Sequence, residues 1–223
     1  GAMVLFGGFG QVALDDVHVC QIQSDGAHAE WSQPPVFGNS PGPRCAHAAV
    51  STPDGTGVII FGGYTSTHGA DAALSLLEML TPRAPSAREL RWTPLYARAP
   101  PGCDVARSGH TAALVSDNRL LVVGGLAASD QAVLGDVLCL DVSEEGLERL
   151  RHPEGGAQWE ALRLDHGESE CAEEELARYN HACAVITDHQ TGEELLLVVG
   201  GNGKDHEPLA DGVALVVPGR AGR

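Results

Sequence analysis

Four times along this 223-residue sequence an apolar run ends in a pair of glycines: residues 4–6 before Gly7-Gly8, 58–61 before Gly62-Gly63, 120–123 before Gly124-Gly125 and 195–199 before Gly200-Gly201. Self-similarity at this spacing signifies repeated supersecondary units, each too small to bury its own apolar face and therefore stacked on its neighbours. Other residues recur in register with the pairs. An Arg-x-x-His segment precedes three of them, with Arg44 and His47, Arg107 and His110, and Arg178 and His181. A Leu-x-Asp lead follows at Leu14/Asp16, Leu134/Asp136 and Leu209/Asp211, with Ser75 in the aspartate slot of the remaining unit. Lone tryptophans, Trp31, Trp92 and Trp159, come later in their units.

The third unit is the clearest. After Arg107-Ser108-Gly109-His110-Thr111, residues 112–115 make a strand rich in small residues, Asp117-Asn118 makes a polar turn, and residues 120–123 run apolar into Gly124-Gly125. Two such runs around a short Asp-Asn turn read as a hairpin, and the glycine pair is expected to end its second strand where a bulky side chain would be in the way. Leu134-Gly135-Asp136-Val137 opens a third strand, and Trp159 marks the place of a fourth. Each unit is then four short antiparallel strands, the size of a propeller blade.

In its Gly-Gly, Arg-x-x-His and downstream Trp residues, in register over nearly the whole length, the chain resembles the kelch-repeat β-propellers. One departure is a tyrosine that kelch repeats usually carry in the third strand, whose slot is assigned here to Cys20, Met79, Leu140 and Leu215. The resemblance implies an all-β, kelch-type propeller with about three and a half to four blades. The blades are expected at about 1–36 (incomplete), 44–96, 107–164 and 178–217 (incomplete), followed by a tail at 218–223. An open arc leaves blade faces and strand edges unpaired, so completion by further blades or by a second chain is expected.

Composition fits a chain with a sizeable core: 43% hydrophobic residues and 28 glycines, with no apolar run approaching the ~20 residues that cross a bilayer. No membrane span and no basic-plus-apolar leader are expected. Gly1-Ala2-Met3 reads as a cloning scar or as the native start of the first strand. The six cysteines (Cys20, Cys45, Cys103, Cys139, Cys171, Cys183) have no Cys-x-x-Cys spacing, which argues against zinc and for reduced thiols in a cytoplasmic protein. The formal net charge of −16 disfavours nucleic acid and anionic lipid and favours protein partners of basic or mixed charge. Arg83, Arg88 and Arg91 make one modest basic patch, read as a solvated loop.

Alternating strand direction puts the loops between strands two and three, and those from strand four to the next blade, on one face. Loops on a rigid scaffold concentrate binding residues, and the resemblance implies a partner site on this face. Its candidate contacts are Tyr64, His68, Asp71, Arg107, Asp130, Gln131, Glu173, Glu174, Tyr179, Asn202, Lys204, Asp205 and His206. An acidic run in the third connector, with Asp165, Glu168, Glu170, Glu173, Glu174 and Glu175, reads as a solvated loop or as a dock for a basic segment. The repeated histidines, arginines and aspartates read as structural, because a residue present in every blade answers a packing need that every blade has.

No catalytic, cofactor or metal residue is assigned. Lys204-Asp205-His206-Glu207 is the best local candidate for chemistry, but metal sites need three or four convergent ligands and it reads as a charged loop tip. The tyrosines Tyr64, Tyr96 and Tyr179 match no copper radical oxidase pattern, the Glu-x-x-x-Asp-x-x-x-His iron motif of plant specifier proteins is absent, and Gly-x-Ser-x-Gly and His-Glu-x-x-His are absent too. The sequence therefore points to a non-catalytic protein-interaction scaffold. The alternatives are a kelch-propeller enzyme, or a regulatory propeller within a phosphatase-like multidomain enzyme or a ubiquitin-ligase adaptor.

Overall fold

A computed structural model describes residues 2–23, 27–80, 89–162 and 172–219, with the side chains of residues 172 and 173 excepted. Arg83, Arg88, Leu164, Asp165, Glu168, Glu170, Cys171, the end of the tail and the side chain of Glu173 lie outside the described residues. The chain forms four antiparallel blades, a β-propeller arrangement, taken in order along the sequence. In blade 1, β1 (Ala2–Phe9), β2 (Ala13–Ile22) and β3 (Ala29–Ser32) pair in sequence order. The next strand, β4 (Val36–Gly38), does not stay with blade 1. It runs parallel to the outer strand of blade 2.

Blade 2 is β5 (Ala48–Ser51), β6 (Gly57–Phe61), β9 (Leu74–Leu80) and β10 (Glu89–Leu95), with a small hairpin, β7 (Tyr64–Thr65) and β8 (Gly69–Ala70), between its second and third strands. Blade 3 is β11 (Arg107–Ser108) and β12 (Thr111–Leu114), then β13 (Arg119–Ala127), β14 (Val133–Asp141) and a two-residue β15 (Glu160–Ala161). A seven-residue helix, α1 (Glu144–Leu150), interrupts its third-to-fourth-strand connection, capped by Ser143 Oγ, which accepts from Gly146 N at 3.2 Å. After a one-turn α2 (Ala172–Glu175), blade 4 is β16 (Ala182–Thr187), β17 (Glu194–Val199) and β18 (Gly212–Val216).

Period-two alternation explains the packing, because successive side chains of a strand face opposite blades. In β6, Ile60 joins Phe6, Val17 and Val19 of blade 1, while Ile59 and Phe61 turn the other way to Leu120 and Val122 of blade 3. In β13, Leu121 and Val123 turn to Leu196 and Val198 of blade 4. The core is therefore three apolar seams between blades. Trp92 and Trp159 close two of them, Trp92 edge-on to Phe6 with ring centroids 4.9 Å apart and Trp159 tilted against Phe61 at 4.8 Å. Trp31, the corresponding residue of blade 1, is 51% exposed against 4% for Trp92 and 2% for Trp159.

Register corrects four details of the sequence reading. The glycine pair does not end the second strand in blades 1 and 3. There the strand continues through it with a register shift, between Phe6/Gly8 and between Val123/Gly125. The third-strand slot given to Met79 belongs to Leu77, which pairs with Val58 as Leu140 pairs with Leu120 and Leu215 with Leu196. By the same register the aspartate slot of blade 2 is not Ser75 but Ala73, whose carbonyl accepts from Gly62 N as Asp211 O accepts from Gly200 N. And Trp159 precedes the fourth strand of blade 3 instead of lying within it.

Candidate functional site

The repeated polar residues form one network three times over. Arg44 donates to Gly62 O at 2.7 Å, Arg107 to Gly124 O at 3.1 Å and Arg178 to Gly200 O at 3.0 Å, each within its own blade. Each guanidinium also reaches back three residues to a carbonyl, of Pro41, Asp104 and Glu175 respectively. Each meets an aspartate: Asp136 at 2.8 Å from Arg107, Asp211 at 3.0 Å from Arg178, and Asp71 at 3.2 Å from Arg44. Asp71 sits two positions before the empty slot at Ala73 and reaches the arginine from there. Buried cations need such pairing, since removing the carboxylate leaves an uncompensated charge.

The histidines lock one blade to the next. His110 Nε2 donates to Phe61 O at 3.1 Å, across the blade 2–blade 3 seam, and His181 Nε2 lies 2.7 Å from Thr111 Oγ1 across the following one. Their backbone neighbours complete the seams, with Gly8 N, Gly63 N and Gly125 N donating to the carbonyls of Arg44, Arg107 and Arg178. A β-carbon at Gly62 would stand 2.6 Å from His110 Cε1 and 2.7 Å from Arg107 O, and Gly62 itself holds φ of +63°, so the first glycine of the pair is required twice over. Burial, together with the adjacent arginine charge, pushes the His47 and His181 imidazoles down to about 4 and that of His110 to about 3. All three are therefore neutral in the fold.

The other candidate contacts lie in the loops that follow the second strands and in the segments that enter the blades. Tyr64, half exposed on β7, exchanges backbone hydrogen bonds with Cys45, and His68 Nδ1 lies 2.8 Å from Thr67 Oγ1 in the β7–β8 turn. Asp130 and Gln131 make the β13–β14 turn, where Asp130 accepts from Ala132 N and Gln131 donates to Ala127 O. Tyr179 pairs with Asn202 through the backbone, its hydroxyl lies 3.2 Å from His206 Nδ1, and Lys204 meets Glu174 at 3.5 Å. Asp205 is exposed at the same turn. Arg107 and Asp71 are consumed by the internal network and Arg107 is fully buried, so it offers nothing to a partner. Among the described residues, no three His, Cys, Asp or Glu side chains converge as metal ligands.

Two clefts open beside these loops, and the sequence reading named neither. One, of about 480 Å³, lies between blades 3 and 4 and is lined by Asp104, Leu134, Asp136, Glu174, Ala177 and Lys204 among others. The other, of about 240 Å³, lies between blades 2 and 3 over Trp159. Both adjoin the 96–106 connector, whose Pro and Gly content marked it as a loop but whose walls come from distant strands.

The whole arrangement matches known proteins. A family model described as the KLHDC2/KLHL20/DRC7 Kelch-repeats domain covers residues 1–207. The serine/threonine-protein phosphatase BSL2 of Arabidopsis thaliana is 30% identical over 205 residues, which are 91% of this chain and 16% of that protein. Kelch domain-containing protein 2 of Bos taurus is 30% identical over 162 residues, 72% of this chain and 34% of that protein. The chain thus spans 16% and 34% of the length of these two relatives. Among solved structures, a chain of the RAG complex with one melted and one unmelted RSS aligns with a TM-score of 0.56 at 15% identity over 89% of this chain and 54% of its own length. YjhT aligns at 0.51 and 14% over 98% and 66%. These two likenesses concern the fold. On the family match and the repeated Arg-x-x-His and Gly-Gly network that underlies it, this chain belongs to the Kelch-repeat β-propeller family.

Proposed function

We propose that this chain is a non-catalytic protein-interaction scaffold that holds its partner with the loops of one propeller face. Kelch propellers are typical protein-interaction domains, and one observation carries the reading here. The residues that repeat, and that would tempt a catalytic assignment, are spent on bonds inside and between blades, whereas Tyr64, His68, Tyr179, Lys204 and His206 are unrepeated loop residues, and Lys204 lines the cleft between blades 3 and 4. Tyrosines on rigid loops bring large contact area at small entropic cost. The overall charge of −16 favours partners of basic or mixed charge over nucleic acid or anionic lipid. A cytoplasmic location accords with the free Cys20, Cys45, Cys103, Cys139 and Cys183.

A regulatory role within a larger enzyme is a second reading, favoured by the 91% coverage of this chain in the BSL2 phosphatase alignment. Both readings use the same face. The test is partner capture with the wild-type chain, a Tyr64→Ala/Lys204→Glu/His206→Ala variant, and a His189→Ala/Gln190→Ala control in the exposed β16–β17 turn of the opposite face. Partner recovery is expected to drop at least tenfold for the first variant at unchanged melting temperature and to stay level for the second. Equal recovery from all three would refute the face assignment.

A further inference from the structure

The blade 2–blade 3 seam is open at its outer edge for a structural reason. Blade 2 has a seven-residue outer strand, β10, but blade 3 has only the two residues of β15. The chain leaving β10 bonds to blade 3 in place of a longer strand: Arg98 N donates to Ala157 O and Trp159 N to Arg98 O, both at 2.9 Å. What remains between the blades is the cleft of about 240 Å³. Its buried lining is Trp159, Leu74 and Leu95, with Val105 beside them, and Tyr96 and Arg98 are its exposed lining. Ligand pockets for whole cofactors run from about 300 to 1,000 Å³. This one is sized for a single large side chain.

Arg98 gives the cleft its polarity. Of the described lysines and arginines, Arg44, Arg107, Arg119, Arg149, Arg151, Arg178 and Lys204 each pair with a carboxylate, and Arg91 lies directly across the strand pair from Glu78. Arg98 has no carboxylate partner among the described residues. An unpaired guanidinium beside an apolar pocket, on a chain of net charge −16, selects a local anion attached to an apolar body.

We propose that this cleft docks a partner segment in which a leucine- or phenylalanine-sized side chain stands next to an aspartate or glutamate. The apolar side chain fills the space over Trp159, the carboxylate meets Arg98, and the flanking residues are neutral or basic to suit the chain's net charge of −16. The proposal rests on the binding-face reading above and adds the chemistry of the segment recognised.

The experiment is selection of displayed random peptides on the full 223-residue chain, once with an internal library and once with free C-termini. The internal library is expected to enrich an apolar–acidic pair. An enriched peptide, synthesised with both ends blocked, should lose at least tenfold in affinity on Arg98→Glu, and equally when its acidic residue is replaced by the matching amide. Arg98 is exposed and its structural bonds are made by its backbone, so the variant keeps the fold, checked by its melting temperature. Enrichment without an acidic residue, binding indifferent to Arg98→Glu, or selection confined to free C-termini would overturn the proposal. Peptides that ignore Arg98→Glu but are lost with the Tyr64/Lys204/His206 variant would sink the cleft and keep the face; absence of any binder to the folded chain would sink both.

Discussion

A glycine that recurs before every seam is held there by two separate demands, and they can be told apart residue by residue. Gly62 and Gly55 both have positive φ, +63° and +71°, but a β-carbon at Gly55 meets open space, whereas at Gly62 it meets the His110 imidazole and the Arg107 carbonyl. Alanine at Gly55 is expected to cost only the left-handed backbone term, about 1 kcal/mol. Alanine at Gly62 adds displacement of a packed seam and should cost about 3 kcal/mol. Urea unfolding of the two variants measures the difference, and equal costs would mean that φ alone selects glycine here.

Among the elements, the third-strand openings show one position put to different uses. Asp136 holds Arg107, which is fully buried, and Asp211 holds Arg178. Asp16, at the same position in β2, meets, among the described residues, the partly exposed His18 at 2.8 Å. Removing Asp136 strands a buried cation and should cost about 3 kcal/mol, while Asp16→Ala should cost less than about 1 kcal/mol. Chemical denaturation of the two alanine variants decides this. In blade 2 the short β7–β8 hairpin supplies Asp71 instead, so an element that looks like an insertion restores the missing ion pair. The α1 helix likewise ties blade 3 to blade 2, where Arg151 donates twice to Glu78, at 3.1 and 2.5 Å, and holds that carboxyl below its ordinary range.

Over the whole molecule, the blades are joined by three seams that each contain a neutral histidine, half-buried at His47 and buried at His110 and His181, which makes stability a function of pH. The folded-state values of about 4, 3 and 4 for His47, His110 and His181 lie below the ordinary 6.5, so the unfolded chain binds more protons as the solution is acidified. Their contribution is complete above about pH 6.5 and is lost progressively as the pH falls towards 4. Urea midpoints are expected to be flat from pH 8 to 7 and to fall steadily from 6.5 to 4.5. Carboxylates held low, such as Glu78, add to the fall from about pH 5 downward, where the unfolded chain begins to protonate its own, so the stretch from pH 6.5 to 5 reads the histidines. A flat profile down to pH 5 would mean that the histidines titrate normally in the fold.

Much of this architecture is written in the sequence because its causes are local. Strand alternation, the Asp117-Asn118 turn, the glycine pairs and the Arg-x-x-His segments follow from backbone sterics and from a spacing repeated in every blade. They determined the fold class, the phase of the blades and the face on which the loops emerge. What the tertiary structure decided depends on chains meeting from afar. The parallel pairing of β4 with blade 2, the use of Asp71 for the aspartate missing at Ala73, and the slot of Leu77 in place of Met79 all turn on register, which a shift of one or two residues alters without changing the local pattern. The cleft over Trp159, with Arg98 at its edge and without a carboxylate partner among the described residues, arises between blades, where a short outer strand leaves space. No stretch of sequence carries that information, because spatial neighbours from different blades make the cavity.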